Sequence, residues 1–323
     1  MPSSPSSPPP RDAVVTCCDA GWLPAAAMAM RSVERNGDVA GADLIIACHG
    51  ASAADRDAMA VFQRRHGTRA WLVEADVSDL PDGDFGRGIS RATLMRLVLP
   101  RVIGADYRRV LYLDADTLVL ESLRPLLAAD LAGKPFGAVP DVGMMEWFDP
   151  AAAANKAEIG LGPGAPYFNA GVLLFDWQAT FADGFLDAAL ARYRTGFLPL
   201  FADQGLLNAV AAGRWQSLPF RWNTMHHVSE RVAVDTAILH FSGRRKPWDH
   251  RCAVGDRRFN RHYVEALADT PFAAFARPLD WTWPFKQRHY FSHRLRARFS
   301  PSTRWRHERE RTRRLAALVG ARA

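Results

Sequence analysis

The sequence predicts an α/β fold built on a mostly parallel sheet. Short apolar runs alternate with amphipathic helical stretches as far as residue 116, the rhythm of strands joined by crossover helices. Two of the runs, DAVVTCCD (12–19) and RVLYLDAD (109–116), close on aspartates. Ligands of such sheets gather at the carboxyl ends of strands, so Asp19 and Asp114 mark the expected site.

Taken in order, DAVVTCCD reads as a buried strand and PAAAMAMRSVERNG as a helix closing at Gly37. DLIIACHG is a second strand, AADRDAMAVFQRRHG a helix with a terminal glycine, and AWLVEAD a third strand. A Gly/Asp loop leads to Ser90, an N-cap for the helix RATLMRLVLPRVI, before the fourth strand RVLYLDAD. Beyond Asp116 the rhythm changes. FGAVPD and NAGVLLFD read as strands around a long Gly/Ala/Pro-rich connection, expected to form a lid over residues 143–166. ATFADGFLDAALARYRTG and ADQGLLNAVAAG read as helices, RWQSLPFRWN and TAILHFSG as late strands.

With 323 residues, 48% of them hydrophobic, the chain can bury a sizeable core in one large domain or two smaller ones. No apolar run is long enough to predict a membrane-spanning helix. The opening MPSSPSSPPPRD lacks the charged and apolar regions of a secretion signal and reads as a disordered Pro/Ser leader over 1–12. A catalytic domain is expected over 13–275 and a basic, aromatic tail over 276–323. Cys17, Cys18, Cys48 and Cys252 show no CxxC spacing and read as buried reduced thiols of a cytoplasmic protein. The net charge of +7 belongs to the tail: from residue 281 onward twelve Lys and Arg face two Glu, so the remainder is slightly acidic.

Chemistry starts at Asp114 and Asp116. Residues i and i+2 of an extended segment point the same way, so two carboxylates can reach one point. Such like charges repel unless a proton or cation sits between them, and hard Mn²⁺ or Mg²⁺ suits oxygen ligands. Alone, an Asp-x-Asp is more often a solvated or capping loop. The added weight comes from AILHFSGRRKPW. Its His240 would be a third metal ligand, Gly243 would let backbone approach a diphosphate, and Lys246 would supply a cation to it. A haloacid-dehalogenase-type phosphatase also carries Asp-x-Asp at a strand end. That pattern wants Thr or Val where this chain has Leu118, and its later motifs are not evident.

In this order, Asp19 after the first strand, ATLMRLVLP, LYLDAD, YFNAGVLLFD, ADQGLLN and HFSGRRKPW resemble the family-8 retaining glycosyltransferases, the group of glycogenin and bacterial lipopolysaccharide glucosyl- and galactosyltransferases. The resemblance covers roughly residues 13 to 255. It implies a GT-A nucleotide-diphospho-sugar transferase fold, with a mixed, mostly parallel sheet flanked by helices. It implies transfer of a hexose from a UDP-sugar to a saccharide or glycolipid acceptor, with Mn²⁺ (or Mg²⁺) held by Asp114, Asp116 and His240. On the same likeness Asp19, with Cys17 and Cys18, would receive the uracil. Arg96 would pair with a metal-motif carboxylate or the sugar, and Asn169, Asp203 and Gln204 would contact the donor sugar. Gln204 beside the anomeric carbon is a poor nucleophile, so front-face displacement is expected. Asp141 is expected near the acceptor.

The tail interleaves arginines with Trp281, Trp283, Phe285, Tyr290, Phe291, Phe299 and Trp305. A solvated helix with Arg–Glu pairs explains residues 304–316 but not the rings. Nucleic acid is disfavoured because no binding fold accompanies the charge. An anionic membrane surface accounts for both features, which predicts peripheral attachment to the inner face of the membrane.

Overall fold

In the computed structural model, which describes residues 11–78, 80, 91–243, 246–250, 252, 257–279, 284, 288, 295 and 303–320, the chain opens with β1 (Arg11–Asp19). Residues of β1 alternate between the faces of a sheet. Val14 and Cys18 enter one core, and Ala13, Val15 and Cys17 enter the other. Helix α1 (Leu23–Asn36) carries Pro24 in its first turn, where no partner awaits its missing N–H. Then come β2 (Asp43–His49), α2 (Ala53–His66), β3 (Trp71–Glu74), α3 (Arg91–Leu94), α4 (Leu99–Ile103) and β4 (Tyr107–Leu113). Helix α2 carries a capping box, Ser52 with Asp55, and closes on Gly67 in the left-handed conformation. Residues 1–10, Ser90 and the tail rings from Trp281 to Phe299 lie outside the described residues.

The second half supplies β5 (Thr117–Val119), α5 (Arg124–Leu127), β6 (Phe136–Pro140), α6 (Ala152–Glu158), β7 (Phe168–Asp176), α7 (Trp177–Asp183), α8 (Phe185–Arg194) and α9 (Ala202–Ala211). It ends with β8 (Gln216–Ser217), β9 (Thr224–Met225), α10 (His226–Ser229), β10 (Ile238–His240), α11 (Arg257–Leu267) and α12 (Thr303–Leu318). Seven strands form the main sheet in the order β3-β2-β1-β4-β7-β6-β8. Pairing is parallel except along β7, which runs against both β4 and β6. The order turns at β1, which lies between β2 and β4, so the ends of β1 and β4 flank the crevice where ligands of such sheets bind. One apolar core packs α1, α2 and α11 on one face, and another packs α8 and α9 on the opposite face.

A second sheet, β5-β10-β9, was not foreseen from the sequence. Its strands are two or three residues long, too short for any period to declare itself. Helix α1 anchors it: Ser32 Oγ accepts from Val119 N–H at 2.9 Å, and Asn36 Nδ2 donates to Val119 O at 2.7 Å. Three sequence expectations need correction. The helix over 91–103 is interrupted by a 3₁₀ turn at Met95–Val98, since Pro100 has no N–H for the carbonyl of Arg96. The helix over 179–196 breaks at Gly184, whose φ of 67° ends α7 and starts α8. Of RWQSLPFRWN only Gln216–Ser217 is strand; past Pro219 the chain coils into a 3₁₀ turn, Phe220–Asn223.

Helix α12 packs onto the domain. Leu315 and Ala316 are buried with Val142, Met225 and Val228, against Trp147 and Phe148, and Arg231 pairs with Glu308. No helix among the described residues is long and apolar enough to cross a membrane.

Candidate active site

Asp114 and Asp116 do not share an extended segment as expected. Between β4 and β5 the chain turns out of the large sheet into the small one, and Thr117 N–H closes that turn on Asp114 O at 3.1 Å. Convergence therefore comes from the turn, not from the two-residue period of a strand. His240 arrives by register: β10 pairs antiparallel with β5, His240 faces Thr117, and Phe241 N–H donates to Asp116 O at 2.9 Å. His240 Nε2 lies 3.4 Å from Asp116 Oδ1 and 3.7 Å from Asp114 Oδ2. One ligand atom from each of the three residues lies within 4.8 Å of the others, a separation that one small divalent ion would bridge. Two carboxylates and an imidazole form a donor set suited to Mn²⁺, so the residues fit the ion the sequence implied.

Charge around this cluster is heavily compensated. Burial works to raise the Asp116 carboxyl, yet Lys246 and His240 beside it hold it well below the usual range. The Lys246 ammonium bonds Asp116 Oδ2 and the carbonyl of Phe241, and sits 5.6 Å from the centre of the Trp22 ring. On the other side Arg96, 5% exposed, ties Asp114 to Asp203: its Nη2 is 2.8 Å from Asp114 Oδ1 and its Nε 2.5 Å from Asp203 Oδ2. It also bonds the carbonyl of Ala170 and covers the ring of Tyr112, whose hydroxyl donates to Asp114 Oδ1 at 2.8 Å. Burial raises the Asp203 carboxyl to about 6 against the pull of Arg96.

A chain of amides lies behind the carboxylates. Asn169 Oδ1 accepts from Gly171 N–H at 3.0 Å and from Asn223 Nδ2 at 2.8 Å, and Asn223 Oδ1 lies 2.9 Å from His240 Nδ1. Asp141 Oδ2 accepts from Asn169 Nδ2 and Gln204 Nε2, both at 3.1 Å, while Gln204 Oε1 accepts from Ala170 N–H at 3.0 Å. Asn169, Gln204 and Asp141 thus form one group, and Asp203 faces Arg96. Asp19, Cys17 and Cys18 line a cavity together with Tyr112, Asp114 and Asp116. Asp19 Oδ1 also accepts from Trp22 N–H at 3.1 Å, so it starts a 3₁₀ turn as well as facing the crevice. Gly243, with φ 102°, takes a conformation that side chains resist, and His226 lies against it. Burial lowers the pKa of His226 to about 4, leaving a neutral ring. All four cysteines are buried and none forms a disulfide.

The sequence matches, over residues 13–252, the model of the family described as glycosyl transferase family 8. The chain belongs to glycosyltransferase family 8. General stress protein A of Bacillus subtilis (strain 168) is 26% identical over 213 residues, 60% of this chain and 71% of that protein. The lipopolysaccharide 1,2-glucosyltransferase of Escherichia coli (strain K12) is 26% identical over 201 residues, 57% of this chain and 56% of that protein. The solved galactosyltransferase LgtC, in complex with donor and acceptor sugar analogues, has a TM-score of 0.64 at 28% identity, covering 85% of this chain and 99% of the other. The fold is the GT-A fold of these glycosyltransferases, and the phosphatase alternative falls with the family match.

As a family-8 glycosyltransferase the chain works with a divalent metal and a nucleotide sugar. Sequence reasoning missed two residues of its site. Gly171 carries no side chain where a Cβ would lie 2.3 Å from the His240 ring. The signal was present, since an isolated glycine inside a strand often marks a close approach. Asn223 had no such signal: it sits on a turn that read as strand, and its partners come from β7 and β10.

Proposed function

We propose that this family-8 enzyme transfers a hexose from a UDP-sugar, with retained configuration, to a saccharide or glycolipid acceptor of the lipopolysaccharide type. The observation that carries the reading is the meeting of Asp114, Asp116 and His240 beside Lys246, on the cavity lined by Asp19 and Cys17. These three side chains would hold Mn²⁺ (or Mg²⁺), which when bound supplies Lewis-acid stabilisation to the diphosphate leaving group. Lys246 and the backbone at Gly243 would receive phosphate oxygens. Asp19 would accept from the uracil ring, and Asn169 would present its amide to sugar hydroxyls.

Retention needs either a protein nucleophile or attack from the leaving-group face. The carboxylates of this cluster are engaged: Asp114 and Asp203 with Arg96, Asp116 with Lys246, Asp141 with two amides. Gln204 is an amide whose oxygen already accepts a backbone N–H. This supports front-face displacement. The acceptor hydroxyl oxygen bonds to the anomeric carbon as the sugar–phosphate bond breaks, and the hydroxyl proton passes to the departing phosphate oxygen. A sugar adduct on Asp203 or Gln204, detected by mass spectrometry, would overturn this.

Thermal denaturation supplies the primary test. UDP with Mn²⁺ is expected to raise Tm, UDP with EDTA to leave it unchanged, and Asp116→Asn to lose the metal-dependent shift. Slow hydrolysis of radiolabelled UDP-sugars by the same protein would then identify the donor. An equal shift with EDTA would contradict the metal reading.

The tail reading is carried by α12, on which Arg306, Arg309 and Arg313 lie on one side together with His307 and Glu310, while Leu315 and Ala316 face the domain. A side with three arginines suits anionic headgroups on the cytoplasmic face, where a glycolipid acceptor would lie. Replacing the three arginines with glutamine is expected to reduce co-sedimentation with anionic vesicles about tenfold or more, at roughly 1 kcal/mol per charge. Unchanged co-sedimentation would exclude α12 as the contact.

A further inference from the structure

We infer that Asn223 is a positioning residue that fixes the tautomer of His240 and thereby turns the Nε2 lone pair toward Asp114 and Asp116. The inference rests on reading those three residues as a divalent-cation site. It starts from a group whose role is not in doubt chemically: the Gly171 backbone N–H can only donate. The Asn169 atom 3.0 Å from it is therefore the amide oxygen. The other end of Asn169 donates to Asp141 Oδ2, which agrees.

Asn169 Oδ1 must then receive the NH₂ of Asn223, 2.8 Å away. That leaves the Asn223 oxygen facing His240 Nδ1 at 2.9 Å. An amide oxygen can only accept, so the proton of a neutral imidazole sits on Nδ1 and the lone pair on Nε2. Nε2 is the atom that faces the carboxylates. In the opposite tautomer Nε2–H would donate to Asp116, and the ring would be a structural hydrogen-bond donor. Asn223 is fully buried, His240 4% exposed, so no solvent substitutes for the contact. A backbone N–H of β7 is thereby relayed through two amides to set the electronic state of a ligand on β10. The same Asn169 faces the donor sugar in the proposed function, so metal site and sugar site share one hydrogen-bond chain.

The experiment measures Mn²⁺ binding to the full chain, with and without UDP, from the paramagnetic resonance signal of free Mn²⁺. Asn223→Leu is expected to weaken binding roughly 10- to 100-fold, as loss of a partner behind a metal-bound histidine does. Asn223→Asp retains an acceptor for Nδ1–H and is expected to bind within about threefold of the unsubstituted protein. Its second oxygen meets Asn169 Oδ1, so its Tm falls even though its affinity does not. Affinity would then follow the acceptor at 223 while Tm follows the amide pair, a split that a merely structural role does not produce. Leu binding as well as Asn, or Asp losing as much as Leu, would overturn the inference. Should Asn223→Leu not fold, ¹⁵N spectra of the unsubstituted protein decide: His240 protonated at Nδ1 supports it, and at Nε2 overturns it. If the unsubstituted protein binds no Mn²⁺, the metal-site reading itself fails, an outcome separate from either variant result.

Discussion

Gly171→Ala is expected to abolish divalent-metal binding and sugar transfer while leaving the fold intact. A Cβ built at this position on β7 lies 2.3 Å from Cε1 and 2.6 Å from Nδ1 of His240, and 3.0 Å from Asp114 Oδ2. Neither neighbour can yield cheaply, because the ring is held at Nδ1 by Asn223 and Asp114 is held by Arg96 and Tyr112. The imidazole must leave its place between the carboxylates, and Mn²⁺ affinity is expected to fall about 100-fold or more. Overpacking of this kind costs about 1–3 kcal/mol, which a large domain survives. Titration of the variant with Mn²⁺ and UDP checks the affinity. A thermal cycle with His240→Ala checks the cause: most of the destabilisation should disappear when the ring is absent, leaving only the contact with Asp114. Metal affinity within a few fold of the unsubstituted protein would show that the ring can move and still bind.

Arg96→Met is expected to have the largest effect on stability. Arg96 is the cation that holds Asp114 and Asp203 together in a nearly dry site, and methionine fills the space without the charge. Removing one partner of a buried ion pair costs about 3–5 kcal/mol, because the other is left uncompensated. At roughly 2–4 °C per kcal/mol for a chain of this size, Tm should fall by about 10 °C or more. The loss should also depend on pH. Burial already raises the Asp203 carboxyl from 3.8 to about 6, and without Arg96 it rises further. A carboxyl raised in the folded state contributes stability that is present below its unfolded pKa and lost as pH climbs through the folded one. The deficit of the variant is therefore expected to be smaller near pH 5 than near pH 8. A deficit independent of pH would mean that Asp203 finds another cation.

Much of this site was legible because it is built at places with strong local signals. Apolar runs ending in Asp19 and Asp114 announced the strand ends that flank the crevice, and Lys246 with Gly243 followed a short apolar run ending in His240. Arg96 was singled out by its likeness to a family helix, with a metal-motif carboxylate as an expected partner, but its second carboxylate, Asp203, was not foreseen, because Asp203 lies on α9, far from Arg96 in sequence. Asp114 and Asp116 do converge, but by another geometry than the one expected. A strand period brings alternate carboxylates together, and so does a turn that passes from one sheet to another. Local pattern cannot tell the two apart.

By itself the sequence determined the α/β layering, the placing of ligand chemistry at strand ends and the residue types able to hold a divalent ion, because these follow from short-range periodicity and side-chain chemistry. Only the tertiary structure decided which atoms of those residues meet. The three-residue register of β10 on β5 set the imidazole beside two carboxylates, and the bare backbone at Gly171 gave the ring room. Asn223 then turned the ring so that Nε2 faces the acids. The physical reason is that hydrogen-bond direction and van der Waals clearance depend on distances between segments far apart in the chain, and such distances exist only once the strands have paired.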